Sequence, residues 1–169
     1  MEPTSKKLYL FLWGLGAFAS TTLAQSPGTF TATGSLSTTF PWSATLLPNG
    51  KALILIHGDG NIGRTQSSEL YDPSTGTFTA TGERTTSGGY TATLLPSGKV
   101  LIAETWATGA NGYVSLGHAE LYDPDTGTFA ATGDMTAARA GGIATLLNNG
   151  KVLIAGGWVT PEGRAVDIY

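Results

Sequence analysis

The chain has 169 residues, nine Lys and Arg against twelve Asp and Glu, and a formal net charge of −3. This length favours one domain, and an acidic balance without a basic stripe argues against nucleic acid as a partner. No cysteine is present, so stability must come from packing and strand pairing rather than from disulfides. Only 12 % of the residues are charged and 24 are glycine, which is typical of a turn-rich β protein.

The first 24 residues predict a secretory signal peptide. Lys6 and Lys7 precede the apolar run Leu8–Phe18, and small side chains, Thr22 and Ala24, stand at the −3 and −1 positions of a cleavage site. The run is too short to cross a bilayer as a helix, which takes roughly 20 residues. We therefore expect a secreted, periplasmic or cell-surface protein of residues 25–169, with no membrane attachment after cleavage.

Two motifs recur along the rest of the chain at a period of about 50 residues, which is typical of a β-propeller. Gly-Thr-Phe-x-Ala-Thr-Gly stands at 28–34, 76–82 and 127–133, and Thr-Leu-Leu-x-x-Gly-Lys-x-Leu-Ile stands at 45–54, 93–102 and 145–154. In chain order the repeats predict a lone strand at 29–33, a blade at 40–81, a blade at 89–132, and a blade at 141–169 that lacks its fourth strand.

Each unit is predicted to contain four antiparallel strands joined by tight turns. In the second unit these strands are 90–95, 100–105, 118–123 and 128–132. The intervening Pro-Ser-Gly-Lys and Asp-Pro-Asp-Thr-Gly sequences supply the proline and glycine that such turns need. One blade cannot bury both of its faces, so the blades must stack around an axis. The fold class predicted is all-β.

The motifs Tyr-Asp-Pro-Ser-Thr-Gly-Thr-Phe (71–78), Thr93–Ile102 and Val152–Gly157 resemble the bacterial kelch repeat of galactose oxidase-like propeller proteins. The resemblance implies kelch-type blades over the whole mature chain and is unspecific for function. The family's double glycine survives only as Gly156–Gly157, and its arginine before the first strand only as Arg139. Its histidine position is occupied by Trp42, Tyr90 and Gly142.

Three blades are fewer than the four to eight of a closed propeller. Either the chain is the front of a longer propeller, or two chains form a six-bladed homodimeric ring. We expect the longer propeller, because the chain stops at Tyr169, where the sibling units continue into Asp-Pro.

One end of the blades is predicted to carry the binding surface. The turns after the first and third strands are nearly uniform between units, whereas the connections after the second strands differ in length. We name the end of the blades that carries these connections of different length the variable rim. Trp106 and Trp158 occupy equivalent positions there and could stack on sugar rings or anchor a protein; packing between blades is the alternative. The remaining ligand-binding candidates are Asp59, Asn61, Arg64, Asn111, Tyr113 and Arg139. For these the alternatives are solvated loops and, for Arg139, a tether of the inter-blade loop.

Catalytic and metal sites are not predicted. Asp123–Gly127 lacks the length of a calcium loop and is interpreted as an Asp-Pro turn. His57 and His118 occupy non-equivalent positions without cysteine beside them. The resemblance implies copper and a tyrosine cross-linked to cysteine, which this chain cannot make, so no cofactor is expected. Recurring acids (Glu69, Glu120, Asp167, Asp72 and Asp123) indicate structural roles, and the rim acids (Asp59, Glu83, Glu104, Asp134 and Glu162) have no predicted pairing.

The sequence thus predicts a non-enzymatic binding or scaffold module for an extracellular glycan or protein. The alternatives are the N-terminal part of a larger galactose oxidase-like or carbohydrate-processing enzyme, and a structural repeat of an envelope protein.

Overall fold

The computed structural model describes residues 30–37, 41–56, 67–85, 88–109, 112–157 and 166–169, with 106–109, 112–115 and 166–167 described through their backbone alone. The chain divides into two compact units, Met1–Ala32 and Thr33–Tyr169, and the strands all lie in the second. The predicted signal peptide lies outside the described residues.

Three antiparallel sheets follow one another along the chain, and we name them blades 1, 2 and 3. Blade 1 contains β1 (Pro41–Leu46), β2 (Ala52–Ile56), β3 (Ser68–Asp72) and β4 (Thr77–Ala80) in that order. Blade 2 contains β5 (Gly89–Leu94), β6 (Val100–Gly109), β8 (Ala119–Asp123) and β9 (Thr128–Ala131), with β7 (Gly112–Ser115) paired to the end of β6. Blade 3 contains β10 (Ile143–Leu146), β11 (Val152–Ala155) and β12 (Val166–Ile168).

The all-β prediction is confirmed, and two details differ from it. Residues 30–33, which carry the sequence of a fourth strand, do not form a strand. A strand needs a neighbour to satisfy its backbone groups, and no third strand precedes this segment in the described chain. The glycine-rich stretch after Thr105, predicted as a loop, instead continues β6 and returns as β7.

The tight turns form as the sequence predicts. Gly50 closes the β1–β2 turn with φ +82° and donates its N–H to the Leu47 carbonyl at 3.0 Å. In the Asp-Pro turn of blade 1, Gly76 has φ +69° and donates to the Asp72 carbonyl at 2.8 Å. Such positive φ values favour glycine because it has no Cβ.

The hydrophobic cores lie between neighbouring blades. One buried cluster joins blade 1 residues such as Leu53 and Leu55 to Val100 and Ile102 of blade 2. A second cluster joins the opposite face of blade 2 to blade 3 (Leu101, Ala103, Ala119, Val152 and Ile154). Because alternate residues of β6 enter different cores, blade 2 is buried on both faces. The repetition therefore supplies the neighbouring blades against which each blade buries its faces.

One polar contact recurs between each blade and the segment that precedes it. A threonine of that segment hydrogen-bonds through Oγ1 to the hydroxyl of a tyrosine in or directly after the third strand of the blade. The pairs are Thr33–Tyr71 at 2.9 Å, Thr81–Tyr122 at 2.9 Å and Thr132–Tyr169 at 3.0 Å. Beside the first two, the Gly34 and Gly82 N–H groups donate to the Gly76 and Gly127 carbonyls, both at 2.9 Å. The repeat therefore specifies junctions as well as blades.

Candidate functional site

The variable rim has an irregular backbone in two blades. In blade 1, Pro41 pairs with Ile56 and Ser43 with Leu55, so Trp42 is the extra residue of a bulge. In blade 2, Gly89 pairs with Trp106 and Tyr90 with Glu104, so Thr105 is the extra residue. Bulges redirect side chains and are frequent beside functional sites. Both lie at the rim that the sequence marks as variable.

A half-exposed aromatic ring stands at the first bulge. The Trp42 side chain is 50 % exposed, and its ring centroid lies 6.5 Å from that of Tyr90 with an interplanar angle of 57°. Tyr90 is buried, and the Arg84 guanidinium carbon lies 4.0 Å from its ring centroid in a cation–π contact. Trp42 therefore offers an aromatic face to solvent beside a ring that is held in place.

Beneath Tyr90 lies a buried charged cluster. The side chains of Arg84 and Glu104 are fully buried, with Arg84 Nη1 3.9 Å from Glu104 Oε1. Arg84 Nη2 also donates to the Ile56 carbonyl at 3.0 Å, so Arg84 joins the linker after blade 1 to the end of β2. Burial lowers the pKa of Arg84, and interactions with Tyr90, Glu104 and Glu120 oppose that shift. Burial likewise raises the pKa of the Tyr90 hydroxyl. These contacts hold Arg84, Tyr90 and Glu104 in position next to the variable rim.

Beyond Glu104, β6 continues and forms a hairpin with β7. The Thr105 hydroxyl donates to the Gly89 carbonyl at 2.9 Å, and β6 then pairs with β7 over Trp106–Ser115. Trp106 pairs with Ser115, and Thr108 pairs with Tyr113. Residues two apart on a strand share a face, so the register places positions 106 and 113 on one face of the hairpin, diagonal to each other. The structure thus brings together two of the residues predicted at the rim.

Recurring acids hold the linkers that enter the blades. Glu120 is buried, and its Oε1 accepts hydrogen bonds from the Thr85 N–H, at 2.9 Å, and from the Thr85 hydroxyl. Glu69 accepts the equivalent bonds from Ser37, with the N–H at 3.1 Å. Both acids have the structural role that their recurrence predicts. The side chain of Asp167 is outside the described residues.

The opposite rim is held by lysine–aspartate pairs. Lys51 Nζ lies 3.1 Å from Asp72, and Lys99 Nζ lies 2.9 Å from Asp123. Hydrogen bonds from Ser74, with a smaller contribution from Lys51, lower the pKa of Asp72 to about 2. Lys99, followed by the Asp125 N–H, lowers the pKa of Asp123. The lysine of one turn thus contacts the aspartate of the other, which confirms that the β1–β2 and β3–β4 turns share this end.

Among the predicted ligand-binding residues, Arg139 is fully described. It is buried at 0 % exposure, and its Nη1 donates to the Gly156 carbonyl at 3.0 Å. Its own N–H donates to the Leu116 carbonyl at 3.0 Å, so Arg139 connects blades 2 and 3. Trp106 and Tyr113 are described through their backbone alone. The other predicted residues lie outside the described part of the chain: Asp59, Asn61, Arg64, Asn111 and Trp158.

The structure adds two residues, Trp42 and Arg84, and two side-chain contacts to the sequence interpretation of the rim. Trp42 and Arg84 were not among the predicted residues. Glu104 and Asp134 are rim acids for which the sequence predicts no partner: Glu104 is buried beside Arg84, and Asp134 Oδ1 lies 3.3 Å from His118 Nδ1. The alignment of Trp42 with Tyr90 at the start of the first strand is the signal that could have found Trp42. Recurrence does not identify Arg84 as a residue of the rim, because the equivalent positions of the other repeats are Leu36 and Met135.

Within the described residues, no group of three His, Cys, Asp or Glu side chains is placed to hold a metal ion. Nor does any described helix have the length and apolar character needed to cross a membrane.

Comparison with known proteins places the chain by fold. No protein-family model matches it, and no curated protein matches it. Among solved structures it is similar to a fungal alcohol oxidase of the AA5 family, described as catalytically diverse and solved in complex with copper. The TM-score is 0.56 at 15 % identity, and the match covers 77 % of this chain and 28 % of that chain. The chain therefore spans little more than a quarter of this neighbour's length, and the likeness supports a shared fold.

Proposed function

We propose that the chain is a kelch-type propeller segment, secreted by its N-terminal signal, that binds an extracellular carbohydrate through the variable rim. The observation that carries the proposal is the aromatic corner between blades 1 and 2. There the half-exposed Trp42 ring lies beside Tyr90 of β5, and β5 pairs through Gly89 with Trp106, at which the β6–β7 hairpin with Tyr113 begins. Aromatic faces with polar neighbours are suited to stacking on sugar rings. A protein that anchors on the same aromatic residues is the second ligand class.

The charges near this corner support a binding role. Arg84 and Glu104 are buried and contact each other, Arg84 holds the Ile56 carbonyl, and Glu120 holds the linker through Thr85. These groups keep the backbone of the corner in position. A preorganised aromatic surface loses little conformational entropy on binding, which favours recognition of rigid ligands such as glycans.

A second candidate function is a segment of a larger alcohol-oxidising or carbohydrate-processing enzyme. The likeness to the copper-containing alcohol oxidase, of which this chain matches 28 %, favours it. The copper and cysteine-linked tyrosine chemistry that the family resemblance implies does not fit this chain, because the chain has no cysteine. In that case the chain contributes blades and substrate contacts, and the reaction takes place on residues outside it.

A glycan array followed by titration calorimetry tests the proposal. We expect one glycan class to bind, and Trp42→Ala and Trp106→Ala each to weaken binding at least about tenfold, as truncation of an aromatic anchor does. Leu46→Ala is the matched control, because Leu46 is another exposed apolar residue, 67 % exposed, at the other end of β1. Unchanged affinity in both tryptophan variants would contradict the proposal. Capture of protein ligands alone, lost in the same variants, would move the function to protein recognition.

A further inference from the structure

Blade 2 has a buried ion pair at two positions that are apolar in blade 1. Arg84 precedes blade 2 and Glu104 lies in β6 just before the bulge, and both side chains are fully buried. The equivalent residues of blade 1 are Leu36 and Ile56, and Ile56 is likewise buried, at 2 % exposure. The same two positions of a blade can therefore be occupied by apolar side chains.

The stability of the junction between blades 1 and 2 does not explain this pair. Taking two charges out of water is costly, and Arg84 Nη1 lies 3.9 Å from Glu104 Oε1, which is longer than a direct hydrogen bond. Replacing a buried ion pair by apolar residues of similar volume is often neutral or stabilising. Met135, the counterpart of Arg84 before blade 3, packs against the core between blades 2 and 3. A requirement other than stability must account for the two charges.

Arg84 contacts three strands that each have one end at the variable rim. Its Nη1 faces Glu104 of β6, and its Nη2 donates to the Ile56 carbonyl of β2 at 3.0 Å. Its guanidinium carbon lies 4.0 Å from the centroid of the Tyr90 ring of β5. Hydrogen bonds and the planar guanidinium impose a direction, whereas apolar contacts do not. An apolar side chain at position 84 could fill the space without fixing how the three strands are placed.

Two of these contacts lie next to the two bulges of the rim. Ile56 pairs with Pro41, which precedes the bulged Trp42. Glu104 directly precedes Thr105, the bulged residue of β6. The first bulge carries the half-exposed aromatic ring, and the second is followed by the β6–β7 hairpin. The side chain of Arg84 therefore connects the part of the rim that blade 1 contributes with the part that blade 2 contributes.

We propose that Arg84 and Glu104 form a positioning pair that joins the Trp42 bulge of blade 1 and the β6–β7 hairpin of blade 2 into one rigid surface. The rim requires these two charges, and the fold does not. A surface that is rigid before binding loses less conformational entropy when a ligand binds. The use of this rigidity rests on the proposed glycan binding, whereas the rigidity itself can be measured without a ligand.

The first test is the stability of a chain that carries the blade 1 residues in blade 2. Arg84→Leu combined with Glu104→Ile should leave the urea midpoint unchanged or raise it. Arg84→Leu alone should lower the midpoint, because the Glu104 carboxylate then stays buried without the guanidinium that faces it. Thr85→Val combined with Glu120→Leu is the contrasting control and should lower the midpoint, because it removes a contact that recurs in blade 1. A lower midpoint in the Arg84 and Glu104 double variant would assign the pair to the fold and overturn the proposal.

The second test is amide hydrogen exchange of the same double variant, which reports local opening. The hairpin amides, 106–109 and 112–115, should exchange at least about tenfold faster than in the native chain, as expected when hydrogen bonds to a charged group are lost. The amides of β8 and β9 should be unchanged. Unchanged exchange in the hairpin would show that the pair does not hold the rim. Both tests use the chain without ligand, so a failure to bind glycans would contradict the proposed function and leave this result intact.

Discussion

Four of the charged residues that recur in the repeat have structural roles. Glu69 and Glu120 bind the linkers that enter their blades, whereas Asp72 and Asp123 close the Asp-Pro turns and contact a lysine of the neighbouring turn. Recurrence predicted these roles correctly, because a group needed by every blade must appear in every repeat. The buried pair of Arg84 and Glu104 occurs at one junction alone among the described residues, so recurrence could not reveal it.

At the residue scale, Asp72 predicts how stability depends on pH. Its folded pKa, about 2, lies below the ordinary 3.8, so its contribution is fully present above pH 3.8. That contribution is lost as the pH falls through 3.8 towards 2, where the folded carboxylate also takes up a proton. The difference in unfolding free energy between the native chain and Asp72→Asn should therefore be constant above about pH 4 and should shrink below it.

Carbon-detected NMR titration of the Asp72 carboxyl identifies the cause. Ser74→Ala, which removes the hydroxyl hydrogen bond and keeps the N–H one, should raise its pKa more than Lys51→Ala does, because the Ser74 hydroxyl is the largest single contribution. The opposite order would assign the shift to the ion pair instead.

At the scale of elements, the strands follow the sequence, and the end of β6 differs from the prediction. β2 and β11 stop where the aliphatic run stops, but β6 continues through Gly109 and pairs with β7. Glycine-rich sequence after Thr105 has little strand propensity, so the sequence favours a loop there. The bulge at Thr105 and the pairing of Trp106 with both Gly89 and Ser115 are tertiary features that extend the strand.

The double glycine after β11 gives a prediction about stability in which Gly156 is the control for Gly157. Gly156 and Gly157 both have positive φ, +77° and +87°. A Cβ on Gly156 meets no atom within 4 Å, whereas one on Gly157 would lie 1.7 Å from the Gly141 carbonyl oxygen. Gly156→Ala should cost about 1 kcal/mol through the backbone alone, and Gly157→Ala about 1–3 kcal/mol more through the clash.

Urea unfolding of both variants measures the loss of stability caused by the backbone conformation and the additional loss caused by the clash. Equal losses of stability would mean that the backbone of Gly141 moves aside without cost.

At the scale of the whole molecule, the blades depend on one another because the cores lie between them. Leu53 and Leu55 of blade 1 pack with Val100 and Ile102 of blade 2, so neither blade has an independent core at this junction. Repeat proteins with such nearest-neighbour interfaces unfold cooperatively through their junctions. The hydrogen bond between Thr81 and Tyr122 crosses this junction and measures the coupling.

A double-mutant cycle of Thr81→Val and Tyr122→Phe should give a coupling energy of about 0.5–1.5 kcal/mol, as expected for an intramolecular hydrogen bond that is partly buried. The same cycle on Thr126 and Thr128, whose hydroxyls bond at 2.8 Å on the exposed surface of one blade, should give almost none. Unfolding by urea followed by fluorescence supplies all four free energies. A coupling near zero for the first pair would show that the contact does not link the blades.

The all-β class, the succession of antiparallel sheets and the placement of the turns could be predicted from the sequence, because these depend on local periodicity and on glycine and proline. Only the tertiary structure decided that Arg84 lies under Tyr90, that Glu104 is buried beside it, and that Trp42 faces solvent. These contacts join residues of two blades near the bulges. The repeated sequence does not reveal which residues of neighbouring blades meet, or where the strand register shifts by one residue.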